Sequence, residues 1–291
     1  RYIVVDGLVI NRAGGTVVEV QGQSSYITLR NLTLSDAGTD GDVVSIHQAS
    51  YVTLEGSDLA RPGRRADTSE GDWQEVIDVW DASQVSIRRN WIRDFGNMAG
   101  VIRGGSEYVR VEQNVMDGQR SGSGADPVWS IGGWTDSSLL TREIAYEAIG
   151  TTFEHNVIAH GAYGAMAVVD ATDTSVAHNL FLNNSGVLFQ LRAGNAVEQA
   201  TDGLRITNNR FVDTRGSMPN VCEVQSHDIR ALTAANNIYS NNGVALPSES
   251  DCGFTPATEA GVTLDSAGMV DVTPSSYEAA MLLVARTRIF H

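Results

Sequence analysis

Within the segment EVIDVW, Asp78 and Trp80 stand two residues apart, so an extended strand would present a carboxylate and a flat indole on one face. That combination suits a sugar, whose C–H face stacks on an aromatic ring while its hydroxyls bond to polar groups. Period-two alternation turns Ile77 and Val79 inward. The same reading places His47, Arg103, Asp170, Gln190, Arg192, Glu223 and Gln225 outward on other segments. Proton abstraction next to a carboxylate-bearing carbon would need a base and a group that stabilises the enediolate. His47 or Arg103 is the candidate base, and Arg192 or a metal held by Glu75 and Asp78 the candidate stabiliser. A neutral histidine is the easier base, because an arginine holds its proton far above working pH. Hydrolysis of a glycosidic bond would instead need two carboxyl groups, for which Asp78 and Asp170 are the outward pair.

The surroundings of these residues are unusual in composition. All five tryptophans, Trp73, Trp80, Trp91, Trp129 and Trp134, fall between residues 73 and 134. Trp80 is the first choice for sugar contact, and Trp129 and Trp134, in the insertion DGQRSGSGADPVWSIGGWTD, are further substrate-binding candidates beside Arg192 and Asp170. The competing reading is that they pack loops onto the body of the protein. Every one of the 20 basic residues is arginine, so no lysine can act as base or Schiff-base partner. Nine arginines lie within residues 61–120: Arg61, Arg64, Arg65, Arg88, Arg89, Arg93, Arg103, Arg110 and Arg120. Acids are nearly as dense there, so the cluster reads either as a fork-bearing surface for carboxylate or sulfate, or as a solvated face of mixed charge.

A repeat must position these residues. YIVVDGLVI (2–10), YITLRNLTL (26–34), YVTLEGSDL (51–59), QVSIRRNWI (84–92), YVRVEQNVM (108–116), TTFEHNVI (151–158), TSVAHNLF (174–181), LRITNNRF (204–211) and LTAANNIY (232–239) align without gaps. From the fourth copy onward the turn position is asparagine, at Asn90, Asn114, Asn156, Asn179, Asn209 and Asn237, with spacings of 24, 42, 23, 30 and 28. Asparagine tolerates left-handed backbone and bonds to neighbouring peptide groups, which suits a tight turn. Periods of this size in β-rich sequence indicate a solenoid. Between the copies lies a second strand type that includes GDVVSIHQ, EVIDVWDA and GVLFQLRA. Three short strands per coil with a stacked asparagine ladder make an all-β, right-handed parallel β-helix. His155 and His178 precede ladder positions and read as a stacked pair. A doubly wound α/β fold would need helices, and SSLLTREIAYEAIG (137–150) is the one segment before the tail with that pattern.

The chain resembles the pectin-lyase-like β-helix superfamily over residues 2–243, with residues 244–291 expected as a C-terminal cap carrying the helix-like SSYEAAMLLVARTRIFH. Residue 1 already lies in a repeat and no signal peptide is visible before it, so a leader that has been removed, or a start inside a longer protein that carries the opposite cap, is expected. A shorter resemblance, to polysaccharide lyase family 6 (alginate lyases and chondroitinases), rests on Glu75 followed one coil later by Val101-Ile-Arg103-Gly-Gly. It implies Glu75 as a calcium ligand, Arg103 as a catalytic arginine and an acidic polysaccharide substrate cleaved by β-elimination. Trp80 stands where that family carries its lysine. Alternatives are a uronate epimerase, a glycoside hydrolase, or a non-catalytic adhesin or tailspike-like fibre.

Bulk properties frame these readings. A chain of 291 residues with 42% hydrophobic side chains can bury a large core. A formal charge of −15 excludes general affinity for nucleic acid. No apolar run is long enough to cross a membrane. Cys222 and Cys252 form one bridge or sit as two small buried side chains. The family resemblance implies an extracellular, periplasmic or cell-surface location.

Overall fold

The computed structural model describes residues 2–63, 74–120, 126–133, 135–136, 138, 140, 142–194, 200–225, 229–248, 250–256 and 263–264. Its strands are short and all pair in parallel, each with the equivalent strand one coil away. They form an eight-stranded, a nine-stranded and a ten-stranded sheet running along the solenoid, joined by a five-stranded sheet of two-residue strands. No α-helix occurs among the described residues, and within 137–150, the segment with the helix-like pattern, Ala148–Ile149 is a strand of the fourth sheet. The helix expected near the C-terminus lies outside the described residues.

The fourth sheet refines the expected three strands per coil. Early coils carry one six-residue strand such as Ser50–Glu55, whereas later coils split that stretch, as in Ser106–Glu107 and Arg110–Glu112. The break falls beside a corner residue in left-handed conformation: Tyr108 at φ 55°, Asp173 at 52° and Ala231 at 50°. In the early coils the same corner is held by tyrosines, and the Tyr26 and Tyr51 rings stack 4.9 Å apart.

The asparagine ladder forms as the repeat predicts. Each amide group donates to the next rung, Asn90 to Asn114 at 3.0 Å, Asn114 to Asn156 at 3.0 Å, Asn156 to Asn179 at 3.2 Å, and on through Asn209 to Asn237 at 3.0 Å. The first rung is a serine: the Ser57 N–H donates to Asn90 Oδ1 at 3.0 Å. The left-handed backbone, however, belongs to the residue before each rung, Arg89, Gln113, His155, His178, Asn208 and Asn236. The rung asparagines are selected for their buried amide groups, which satisfy peptide groups that the turn removes from the sheets. The rings of His155 and His178 stack at 5.1 Å.

Inward residues form ladders of their own. Leu29, Leu54, Ile87, Val111, Phe153, Val176 and Ile206 share one register, and Phe181, Phe211 and Tyr239 stack at 4.9 Å intervals. Past residue 243 the chain folds back onto the last coil. Leu246 and Phe254 pack on the core, Thr263–Leu264 extends the ten-stranded sheet, and a disulfide joins Cys222 to Cys252.

Candidate functional site

The outer face of the eight-stranded sheet gathers most of the candidate residues. Register puts His47, Trp80 and Arg103 in one outward row and Ser45 and Asp78 in the row beside it. Asp78 does not reach into solvent. Arg103 grips it with two parallel hydrogen bonds, Nε to Oδ1 at 3.1 Å and Nη2 to Oδ2 at 2.7 Å, and the Asp78 side chain is only 11% exposed. The charge of Asp78, with further contributions from Glu75 and Asp42, holds the Arg103 guanidinium protonated more firmly than usual. Arg103 is therefore a fixed cation and donor, and cannot be the proton-abstracting base that its position suggested.

The remaining member of this cluster, Asp42, was not visible to motif reasoning. Continuing the register of Val44 with Ile77 two residues back aligns Asp42 with Glu75 on the next coil. That alignment of GDVVSI with QEVIDV is the signal that would have found it. Asp42 is fixed by stacked tight loops: side chains at Gly38, Gly41 or Gly63 would collide with the backbone of a neighbouring loop. Burial, followed by the charges of Asp78 and Glu75, raises the Asp42 carboxyl well above the usual range. Its Oδ1 is buried with no hydrogen-bond partner among the described residues.

The calcium implied by Glu75 and Asp78 does not fit this arrangement. Both Asp78 oxygens already accept from Arg103, so a cation would have to compete with the guanidinium for them. Among the described residues no three histidine, cysteine or acidic side chains converge as a metal-binding group.

Next along the face, His47 Nε2 lies 2.7 Å from Glu19 Oε1, and its ring stacks on Trp80 at 5.7 Å. Trp80 also leans over Gly104, where any side chain would overlap the indole. Its Nε1 is buried with no partner among the described residues. Trp80 is half-buried, leaving part of the indole at the surface.

Other sequence candidates are placed elsewhere. Trp129 is fully buried: it stands in register with Gly100 and Met166 on the inward side, and its ring meets Phe153 at 5.6 Å. It is a core residue and not a sugar contact. Trp73, Trp134, Arg64 and Arg65 lie outside the described residues. Asp170 follows the strand Met166–Val169 at φ 46°, so alternation breaks before reaching it. It is buried, and its Oδ2 accepts the Gly194 N–H at 2.7 Å. Burial and the nearby Glu147 raise its carboxyl to about 6. Glu147, also missed, takes hydrogen bonds from the Gly104 N–H at 2.8 Å and the Thr135 hydroxyl at 2.6 Å, fastening the long insertion onto the turn beside Trp80. Arg192 lies outward but pairs with Asp126 at 3.3 Å and bonds to Gln190.

The arginine cluster resolves into ion pairs between coils. Arg61 pairs with Asp36, Arg88 and Arg89 share Glu55, and Arg93 holds Asp58. Arg88 and Arg93 sit on the nine- and ten-stranded sheets, away from the Trp80 face. The mixed-charge reading describes these arginines.

Residues 75–273 match a family described as a right-handed β-helix region. No curated protein sequence matches the chain. Among solved structures it is similar to the surface adhesin PfbA of Streptococcus pneumoniae, with a TM-score of 0.54 and 11% identity over 88% of this chain and 68% of that one. A tailspike protein of an E. coli bacteriophage, solved in complex with a pentasaccharide, gives 0.52 and 13% identity over 94% of this chain and 53% of its own. An alginate lyase, also solved as a complex, gives 0.50 and 11% over 90% and 57%. The chain thus spans little more than half of the tailspike and the lyase. At these identities the likeness establishes a shared fold. Among the described residues no helix is long and apolar enough to cross a membrane.

Proposed function

Because the chain belongs to the right-handed β-helix family, we propose that it is an exported carbohydrate-binding protein that takes a polysaccharide along the outer face of its eight-stranded sheet. The observation that carries this reading is Trp80. A half-buried indole is held by His47 on one coil and the Gly104 turn on another, beside the hydrogen-bonding Arg103–Asp78 pair. An aromatic platform flanked by fixed polar groups is what a pyranose ring requires. The Cys222–Cys252 disulfide supports export to an oxidising compartment. The bacteriophage tailspike of the same fold holds a pentasaccharide, which supports the ligand class.

The central sugar in this reading is neutral. Glu75 and Asp78 face a single guanidinium there, so a uronate carboxylate would meet more repulsion than attraction. Elimination with Arg103 as the base is also disfavoured, because the charge of Asp78 makes its guanidinium hold its proton.

Calorimetric titration with neutral and acidic polysaccharides tests the proposal. Trp80→Ala should weaken binding about tenfold, the loss of roughly 1.4 kcal/mol of ring contact, with an unchanged circular dichroism spectrum. Binding by no polysaccharide, or equal binding by the variant, would overturn it.

A further inference from the structure

Resting on that carbohydrate-binding face, we infer that the face is blind at one end, so that it receives the terminus of a neutral polysaccharide chain and not its interior. Exposure along the outward rows of the eight-stranded sheet changes abruptly. On the early coils Glu19 is exposed, and Ser45, His47 and Trp80 are partly so. Past Asp78 the same row continues through Val101, Ser130, Ala167 and Gln190, all of them buried although they point outward. Val169, the next outward residue after Ala167, is buried as well. Apolar side chains on an outer face stay dry only where more of the chain lies across them.

Two stacked turns and an ion pair make that roof. Gly133 rests directly on the coil below: a Cβ built on it would stand 2.9 Å from Arg103 Cβ and 3.3 Å from Val101 Cγ2. Gly194 lies against Gly133 and over Val169, its own built Cβ 2.9 Å from the Gly133 carbonyl oxygen and 3.4 Å from Val169 Cγ1. Arg192 reaches back to Asp126 at 3.3 Å, across the coil that carries Ala167, and Gln190 donates to the Tyr163 carbonyl at 2.7 Å. The flank beside Trp80 is occupied too. There Arg142 donates to the Gly105 carbonyl at 2.8 Å and pairs with Asp81 at 3.0 Å, next to the Glu147 bonds to Gly104 and Thr135.

A sugar chain lying along the solenoid axis on Trp80 therefore runs into backbone at Gly133, one coil further on. Turns packed this closely have no room to yield to a pyranose ring. The chain must end there, and the foot of the wall suits an end. A terminal sugar carries a free hydroxyl where an interior one carries a glycosidic oxygen, and Arg103, fixed by Asp78, keeps guanidinium N–H donors beyond the two that Asp78 accepts.

The test titrates the protein calorimetrically with linear xylan, galactan and glucan fractions, from short oligosaccharides to long polymers, at equal molar concentrations of chains. For each polymer that binds, one protein should bind per chain at every length. Affinity per mole of chain should stay within about twofold from oligosaccharide to polymer, because every chain offers the same single end. Protein bound per chain that rises with length, or affinity per chain that rises in the same proportion, would overturn the inference and leave the binding proposal standing. Absence of binding by every fraction would defeat the binding proposal and the inference with it.

Discussion

Asp170 is fully buried and titrates at about 6, against 3.8 for an ordinary aspartate, chiefly because burial penalises its charge. In the unfolded chain it ionises near 3.8, so the folded state binds its proton more tightly. The sign follows directly: below pH 3.8 the group costs nothing, the penalty grows as pH rises from about 4 to 6, and above that it is complete. A gap of about two pH units corresponds to at most roughly 3 kcal/mol, at 1.36 kcal/mol per unit. Asp170→Asn removes the charge and keeps an oxygen to accept the Gly194 N–H. The variant should therefore be more stable at pH 8 by about 1–3 kcal/mol, a rise in Tm of several degrees, and nearly unchanged at pH 4. Thermal unfolding followed by circular dichroism across that range measures it. Equal destabilisation at every pH, or a wild-type slope between pH 4 and 6 that persists in the variant, would refute the argument.

Two further predictions concern the scaffold. Asn156→Ala deletes a rung that accepts from the Asn114 N–H at 2.9 Å and donates to the Val111 carbonyl at 2.8 Å, and the stranded groups should cost about 2–5 kcal/mol in denaturant unfolding; a loss under about 1 kcal/mol would mean that the ladder adds little. Cys222→Ser opens a disulfide spanning 30 residues, worth about 3–4 kcal/mol of loop closure, and limited proteolysis should then cut first within 229–256. An unchanged cleavage pattern would contradict that.

The coil architecture was legible because one tight turn is repeated at fixed length, so the asparagines align whatever the loops between them do. The αL residue was misassigned by one position, since side-chain chemistry and backbone conformation are divided between neighbours, as at His155 and Asn156. Trp129 was misread because a long insertion hides where the next strand resumes; once Trp129–Ile131 pairs with Gly100–Ile102, its inward phase follows. Asp170 was misread by carrying alternation onto a residue that is itself left-handed, where the period ends. Asp78 and Arg103 were both found, but their mutual grip was not, because it depends on two rows of adjacent coils standing side by side. Glu19 stands on the short strand Val18–Val20 beside the strand of His47, a coil that the aligned repeat segments do not mark, and Glu147 acts across a loop whose course no periodicity specifies.

The disulfide has a mechanical consequence. In a parallel solenoid the hydrogen bonds that hold coil to coil run along the axis, so tension on the C-terminus loads the last coil alone and peels it before the next one feels force. The strands Ile229–Arg230, Thr233–Ala235 and Ile238–Ser240 all lie between Cys222 and Cys252. Pulling from beyond residue 252 therefore transmits load through the sulfur bridge straight to Cys222 on the eight-stranded sheet, and the intervening coil cannot be drawn out. Load applied at this end would therefore reach the chain before Cys222 first, with the coil enclosed by the disulfide still in place.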